Sequence, residues 1–163
     1  MTGVQTCALP ISERLFLALI LAWKSLKTEQ FIVKALRLDD ALAISLVAEI
    51  ENIVVGHVAF SPVTISDGSQ DWFGLGPVSV LPTYQKQGIG TSLIKSGLSM
   101  LKNMNGKGCT LVGDPNYYKR FGFENFQQLM HEGVPQEVFL ALPFSNSIPV
   151  GSVKFHEGFW ATA

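Results

Sequence analysis

Apolar and polar residues alternate with different periods along the chain, and each period predicts a type of element. Near the start, the pattern is typical of amphipathic helices and predicts one over 12–26 and a second over 28–37. β-Branched and apolar residues then dominate 41–50 and 53–65. These two segments predict an antiparallel hairpin, although the two residues that connect them include no glycine.

The second half of the chain continues this alternation of extended and helical segments. A polar loop at 65–71 precedes an apolar strand at 75–81, and apolar residues near a 3.6-residue period predict a helix over 88–104. The remaining predictions are a short strand at 109–114, a short helix at 115–121, and two closing strands at 122–130 and 136–144. This order of strands and helices is typical of an α/β domain.

Composition and charge limit the classes of function. The chain has 163 residues, of which 47% are hydrophobic and 15% charged, and this suits one globular domain with a real core. Its formal net charge of −1 shows no excess of positive charge that would attract nucleic acid or an anionic membrane surface. The apolar run at 15–23 is about half of the roughly 20 residues needed to span a bilayer. We therefore expect a small-molecule ligand, no nucleic acid and no membrane.

The two cysteines, Cys7 and Cys109, lack the spacing of a disulfide framework or a zinc site. We therefore expect a reducing, cytoplasmic location and no metal. Cys109 raises the alternative of a covalent acetyl carrier. Its place at the start of a short apolar strand, with only Lys107 as a nearby cation, favours an inert buried thiol.

The first eleven residues, 1–11, show neither a helical nor a strand period, and they resemble the translated read-through of a sequencing adapter. We expect them not to belong to the native protein. The expected domain is then a single one over 12–163.

The stretch QKQGIG at 85–90 joins a predicted strand to the longest predicted helix of the second half. A glycine-rich turn that opens a helix presents unpaired amide groups where the helix dipole favours negative charge, and it therefore predicts a phosphate site. Gly88 and Gly90 leave no Cβ to block a ligand. A dinucleotide fingerprint is excluded because Leu93 stands where the third glycine is required, and a P-loop because no lysine follows Gly90. A tight turn without a ligand is the alternative.

The remaining pattern, [QR]-x-x-G-x-[GA], is matched at Gln85, Gly88 and Gly90, and with it the sequence resembles the GNAT superfamily of N-acetyltransferases. The segment 111–124 is similar to the Tyr-x-x-x-Gly-Phe ending of that superfamily, in the form found in its YhbS-like branch. The tail GSVKFHEGFW is similar to the same branch. The resemblance covers roughly residue 15 to the end of the chain.

The resemblance implies a mixed, mostly antiparallel central sheet, splayed between its fourth and fifth strands and with helices on both faces. The first strand of the family is here missing or replaced by 1–11, which would leave the strand at 41–50 with an unpaired edge. Acetyl-CoA is the implied co-substrate, with its pantetheine arm in the splay and its pyrophosphate on the amides of the turn. The implied contacts are Val78, Ser79 and Val80 for the arm, and Gln85, Lys86, Gln87, Gly88, Ile89, Gly90 and Thr91 for the pyrophosphate.

Tyr118 lies four residues before Gly122, where the resemblance implies a tyrosine that assists the departing thiolate. With a phenol pKa near ~10 and a thiol pKa near ~8.5, full proton transfer is uphill by roughly 2 kcal/mol, so the phenol would stabilise the thiolate by hydrogen bonding as much as protonate it. An aromatic core residue is the alternative role for Tyr118. Tyr117 is expected to pack.

An acceptor amine with a pKa of ~10.4 must also lose a proton before it attacks. His57 is the candidate base because its unperturbed pKa lies near ~6.5, and a structural strand histidine is the alternative. Glu49 and Ser79 are weaker candidates. His131 and His156 lie in polar surroundings and are assigned no role.

The expected function is therefore transfer of an acetyl group from acetyl-CoA, by direct attack, to a primary amine of a small molecule or a protein. The alternative is a coenzyme A binding module without turnover, acting as a sensor or a structural subunit. An unrelated phosphate binder would require the match at Tyr118 and Gly122 to be accidental. A homodimer is compatible with either function.

Overall fold

The computed structural model describes residues 5–7 and 29–161 of the chain. The predicted helix at 12–26 lies outside these residues. The described part contains helices α1 (Glu29–Leu38), α2 (Ile89–Asn103) and α3 (Pro115–Tyr118), and strands β1 (Gln5–Cys7), β2 (Ile44–Ile50), β3 (Ile53–Pro62), β4 (Thr64–Ile65), β5 (Trp72–Val80), β6 (Gly108–Val112), β7 (Leu129–Met130), β8 (Phe139–Pro143) and β9 (Gly151–Lys154). Short 3-10 helices cover Pro82–Tyr84, Lys119–Phe121, Gln136–Val138 and Glu157–Trp160.

The predicted hairpin is confirmed as the antiparallel pair of β2 and β3. Its connecting residues, Glu51 and Asn52, have φ values of 51° and 64°. Two successive left-handed residues are the geometry of a type I′ turn, whose twist matches that of the flanking strands. The turn therefore forms without glycine, with asparagine as the more tolerant of its two residues.

The central sheet has six strands in the order β1-β2-β3-β5-β6-β8. All neighbours are antiparallel except β5 and β6, which run parallel and correspond to the fourth and fifth strands of the predicted fold. These two strands pair only from Trp72 to Gly74, after which β5 pairs with β3 alone and β6 with β8 alone. The predicted splay is thus present, and it opens along the second half of β5.

Strand β1 lies at the edge of this sheet, where we expected the first strand to be missing. Three residues, Gln5–Cys7, pair antiparallel with Val47–Glu49 of β2, so this part of the edge is not unpaired. Strand pairing uses backbone amide and carbonyl groups, which every residue except proline supplies in full. For this reason, the side-chain pattern of the first residues did not predict that they pair with β2.

Helices cover both faces of the sheet, as predicted. Helix α2 packs on one face, where Leu93 is fully buried and the Cα of Gly97 lies directly on the ring of Phe60, leaving no room for a Cβ. The opposite face is covered by α1 and the C-terminal 3-10 helix, which contact each other. There the ring of Phe155 lies over Gly74, 2.5 Å from the position that a Cβ on this glycine would take.

The predicted strand at 122–130 is wrong over most of its length, because only its last two residues form a strand, β7. The side-chain amide of Asn125 donates to the carbonyl groups of Gln136 and Phe139, and the Gln136 side chain donates to two further carbonyl groups of the 122–130 segment. Side chains thus supply the hydrogen bonds that a strand ladder would have made.

A second, smaller sheet has the order β4-β9-β7. Its central strand, β9, was not predicted from the sequence; it pairs antiparallel with β4 and parallel with β7. Within the described residues, no helix combines the length and the apolar character needed to cross a membrane.

Candidate functional site

The predicted phosphate turn lies between the end of β5 and the start of α2. Gly88 precedes the helix with a φ of 83°, a left-handed conformation that strains any residue with a side chain. The first helical bond runs from the amide of Ser92 to the carbonyl of Gly88, at 2.9 Å, and the glycine offers no side chain as a cap. The amides of the first turn therefore have no helical partner, and they face outward at the positive end of the helix dipole.

Two glutamine side chains brace this turn from within. The side-chain amide of Gln85 donates to the carbonyl of Val80 at 3.0 Å, and that of Gln87 donates to the carbonyl of Thr83 at 3.2 Å. Lys86, between them, has a left-handed φ of 60°. The glutamine required by the sequence pattern thus holds the turn against the end of β5.

A cavity of 640 Å³ opens over the turn, beside the part of β5 that has left β6. Nine of the ten predicted cofactor residues line it, and Gln87 is the exception. Three further lining residues were not predicted. The lining comprises Val78, Ser79, Val80, Tyr84, Gln85, Lys86, Gly88, Ile89, Gly90, Thr91, Tyr117 and Arg120.

The unpredicted residues Tyr117 and Arg120 close one side of the cavity. The hydroxyl of Tyr117 lies 3.4 Å from the position that a Cβ on Gly90 would take. The guanidinium of Arg120 lies 4.4 Å from the centre of the Tyr117 ring, and its Nε donates to the Tyr117 carbonyl at 2.8 Å. Both residues follow Asp114, which caps α3 by accepting from the amide of Asn116. Only tertiary packing brings this segment to the turn, so local sequence signals could not reveal it.

Strand β5 presents different groups on its two faces. Val78 pairs with Val58 of β3, and both pack in the core that α2 covers. Ser79 has the opposite orientation and pairs with His57. The hydroxyl of Ser79 is buried and makes no hydrogen bond to any described residue, although the residue lines the cavity.

His57 is 3% exposed, and its Nε2 lies 2.9 Å from the hydroxyl of Ser45. Burial, and then the positive charge of Arg37, lower the pKa of His57 to about 4. The imidazole is therefore neutral at pH 7 and only weakly basic. His57 does not line the cavity, but it pairs with Ser79, which does.

Residues 41–125 match the family model described as an acetyltransferase (GNAT) domain. The chain belongs to the GNAT acetyltransferase family. Two solved GNAT structures are similar to it over nearly their whole length: a Brucella melitensis acetyltransferase in complex with acetyl-CoA (39% identity, TM-score 0.76, 98% of this chain and 99% of that one) and Escherichia coli YhbS in complex with CoA (28% identity, TM-score 0.87, 100% and 95%). The predicted family and fold are thereby confirmed.

Curated GNAT relatives match over a shorter stretch. The uncharacterized N-acetyltransferase YhbS of Escherichia coli K12 is 39% identical over 97 residues, which is 59% of this chain and 58% of that protein. The uncharacterized N-acetyltransferase YjhQ of the same strain is 38% identical over 85 residues, 50% of this chain and 46% of that protein. The aligned stretch thus spans about half the length of each relative.

The tyrosine of the GNAT motif, Tyr118, is not among the residues that line the cavity over the turn. Its ring packs edge-on against Tyr117, with centroids 4.9 Å apart, and against Phe123 at 6.0 Å. One edge of the ring also lies against Gly113, where a Cβ would come within 2.5 Å of it. Tyr118 is therefore held in a defined position beside the cavity, and Tyr117 is the tyrosine that faces the turn.

Cys109, His131 and His156 have structural environments. Cys109 is fully buried, and burial strongly raises the pKa of its thiol, as expected for an inert side chain. His131 donates from Nδ1 to the carbonyl of Val153, and His156 accepts from the amide of Gly158. Among the described residues, no group of histidine, cysteine, aspartate and glutamate could hold a metal ion.

Proposed function

We propose that the chain is an acetyl-CoA-dependent N-acetyltransferase that acts on a primary amine of a small molecule or a protein by direct attack. The observation that carries this proposal is the 640 Å³ cavity, which extends from the open edge of β5 to the bare helix N-terminus after Gly88. Solved relatives of this fold contain acetyl-CoA or CoA. An elongated ligand with an anionic group part-way along it fits such a cavity.

In the proposed complex, the pyrophosphate of acetyl-CoA binds to the amides from Lys86 to Thr91. A Cβ on Gly88 would meet no atom within 4 Å, so this side of the turn has room for a phosphate group. Arg120 lies at the same cavity and adds positive charge. The pantetheine arm follows β5 along Val78 to Val80, where the strand has no neighbour on the β6 side.

In the proposed transfer, the amine nitrogen attacks the thioester carbonyl carbon, the C–N bond forms, and the C–S bond breaks with its electron pair on sulfur. The sulfur then needs a hydrogen-bond donor or a proton, and we assign this role to the phenol of Tyr118. The structure adds Tyr117 as a second candidate, because its hydroxyl lies in the cavity beside Gly90. The acetyl group ends on nitrogen, which must release one proton.

We propose His57 as the group that receives this proton. A neutral imidazole can accept it, and a pKa of about 4 means that His57 does not retain the proton. The same low pKa favours the second candidate function, a coenzyme A binding module without turnover, because a base of this strength assists an alkyl amine poorly.

Two measurements on the wild-type chain separate these functions. Acetyl-CoA that binds only the folded state should stabilise it by roughly 2.7 kcal/mol at a hundredfold excess over Kd, and this is measured as a rise in melting temperature. Release of free thiol with a panel of amines, corrected for a reaction without amine, then reports turnover. A shift without thiol release supports the binding module, whereas no shift at millimolar ligand contradicts both functions.

A further inference from the structure

Ser79 carries a buried hydroxyl that has no hydrogen-bond partner among the described residues. The residue is 8% exposed, and an unpaired hydroxyl at this depth costs about 1–3 kcal/mol. Ser61 carries the only other such hydroxyl in the described part of the chain, but Ser61 is fully buried and does not line the cavity. A ligand in the cavity can therefore supply a partner for Ser79 and not for Ser61.

The position of Ser79 on β5 determines from which side this partner can come. Val78 and Val80 pack against the core that α2 covers, so the side chain of Ser79 lies on the opposite face of the sheet. On one side Ser79 pairs with His57 of β3, and on the other side this part of β5 has left β6. The hydroxyl has three staggered positions about the Cα–Cβ bond, so a group bound in this gap is within its reach.

The surroundings of this hydroxyl favour an uncharged partner. His57 lies directly opposite Ser79, and burial together with the positive charge of Arg37 keeps its imidazole neutral. The charged residues that line the cavity, Lys86 and Arg120, are both positive, and none of its described lining is acidic. An ammonium group at Ser79 would lose its water and gain no counter-ion, whereas a neutral amine would lose only hydrogen bonds that the hydroxyl can replace.

We propose that the hydroxyl of Ser79 binds the attacking amine, by accepting a hydrogen bond from its N–H group, and that the site selects amines that are partly uncharged at neutral pH. This inference rests on the proposed function, because it takes the thioester to lie along Val78 to Val80. With its N–H group directed at Ser79, the nitrogen keeps its lone pair for the thioester carbon. His57, to which we assign the released proton, is the cross-strand neighbour of Ser79, and Cβ atoms in such pairs are about 4.5–5.5 Å apart.

The substrate class that follows is the α-amine of an amino-acid derivative or a peptide, in preference to the ε-amine of lysine. With a pKa of ~7.7–8.0, an α-amine is uncharged in about one molecule in ten at pH 7, whereas an ε-amine with a pKa of ~10.4 is uncharged in about one in 2,500. The less basic amine is also the weaker nucleophile, which offsets part of this difference. We expect a net preference of at least about tenfold.

Two isomeric acceptors test this selection at pH 7, with release of free thiol as the readout. Nε-acetyl-lysine amide presents only an α-amine and Nα-acetyl-lysine amide only an ε-amine, so the two compounds have the same composition. The wild-type chain should acetylate the first with a kcat/KM at least about tenfold higher. Glycinamide and propylamine repeat the comparison in smaller molecules, because the carboxamide group lowers the pKa of the neighbouring amine.

Ser79→Ala tests the hydroxyl itself. It should lower kcat/KM for Nε-acetyl-lysine amide by about tenfold. The Kd of acetyl-CoA should stay nearly constant, since the backbone of β5 is unchanged, and the melting temperature should not fall, since the hydroxyl is unpaired without a ligand. Ser61→Ala is the matched control, because it removes the other buried unpaired hydroxyl and leaves the cavity lining intact. It should keep the wild-type kcat/KM.

Equal rates for the two isomers, a preference for the ε-amine, or full activity of Ser79→Ala would overturn this inference and leave the proposed acetyl transfer intact. Turnover confined to amines with a pKa near 10 would overturn it in the same way. A loss of acetyl-CoA affinity in Ser79→Ala, in parallel with the loss of rate, would assign the hydroxyl to the cofactor and not to the acceptor. If no amine of the panel releases thiol, the proposed function fails together with this inference.

Discussion

The two faces of β5 near its end illustrate two ways of building a site. On the cavity side, the strand leads into a turn that offers bare amide groups, an exposed lysine and open space. On the other side, Ser79 is buried beside His57 of β3 although it also lines the cavity, and burial keeps the imidazole of His57 uncharged at pH 7. The first face can bind an anion through backbone amide groups. The second face can hold a neutral group or accept a proton for a short time, but it does not stabilise a charge.

This difference explains which face can be recognised in a sequence. A site built from backbone groups requires glycine at particular positions, and the spacing of glycines can be recognised in the amino-acid sequence. A side-chain site depends on what packs around each group, and His57 owes its low pKa to burial and to Arg37, which lies 20 positions earlier in the chain. The backbone site should therefore respond most strongly to substitution, and the buried histidine least.

Gly88→Val should have the largest effect, with loss of the acetyl-CoA melting shift and a Kd raised by more than about a hundredfold. A β-branched side chain resists the φ of 83°, and it would occupy the space that we assign to the pyrophosphate. The melting temperature is measured with and without acetyl-CoA.

Gly68→Val is the matched control for backbone strain. Gly68 has a φ of 84°, and a Cβ there would also meet nothing within 4 Å, but the residue does not line the cavity. The two variants should lose similar folding stability, and only Gly88→Val should lose ligand binding. Full affinity for acetyl-CoA in Gly88→Val would show that the turn does not bind the pyrophosphate.

Tyr118→Phe tests the proposed stabilisation of the leaving thiolate beside the cavity. The substitution keeps the packing of the ring on Tyr117 and Phe123 and removes the hydroxyl. If the phenol assists the thiolate, kcat should fall by about a hundredfold, the low end for general acid catalysis, while the Kd of acetyl-CoA stays nearly constant.

Tyr117→Phe is measured beside it with the same two readouts, and we expect little change in kcat. The opposite result, with Tyr117→Phe losing the rate and Tyr118→Phe retaining it, would move the role to the tyrosine that lines the cavity. Equal losses, or a loss of stability together with rate, would mean that these hydroxyls serve packing and not chemistry.

The sequence predicted the binding face well because its signal is local. The period of apolar residues located α2 to within a residue at each end, and glycine spacing located the turn, so nine of the ten predicted cofactor residues line one cavity. Tyr84 was missed although it lies just before the turn, because nothing in its immediate neighbours marks it as facing a ligand.

Long-range pairing accounts for what the sequence did not predict. Tyr117 and Arg120 reach the cavity from a segment near residue 120, and β9 forms only because β4 and β7 flank it. The predicted strand at 122–130 failed for the same kind of reason. The Gln136 side chain donates to the carbonyl groups of Phe126 and Leu129 in this segment, and the Asn125 side chain donates to the carbonyl groups of Gln136 and Phe139 outside it; an apolar pattern does not predict such bonds.

The smallest predicted effect concerns His57 on the buried face, and it appears as a dependence of stability on pH. The pKa of this histidine is about 4 in the folded chain and near ~6.5 when unfolded, so between these values the unfolded state binds more protons. Stability should therefore rise with pH from 4 to 6.5, and the contribution of His57 should be lower at pH 5 than at pH 8 by about 2 kcal/mol. His57→Gln does not titrate and keeps a polar group that can bond to Ser45.

Urea unfolding of both chains at pH 5, 6 and 8 isolates this contribution, because other titrating groups cancel in the difference between them. The wild-type advantage over His57→Gln should shrink as the pH falls. Parallel pH profiles would mean that water reaches His57 and that its pKa is close to normal. The histidine would then be a stronger base than we propose, and its low pKa would no longer favour a binding module without turnover. The two faces of β5 would in that case differ in chemistry but not in access to solvent.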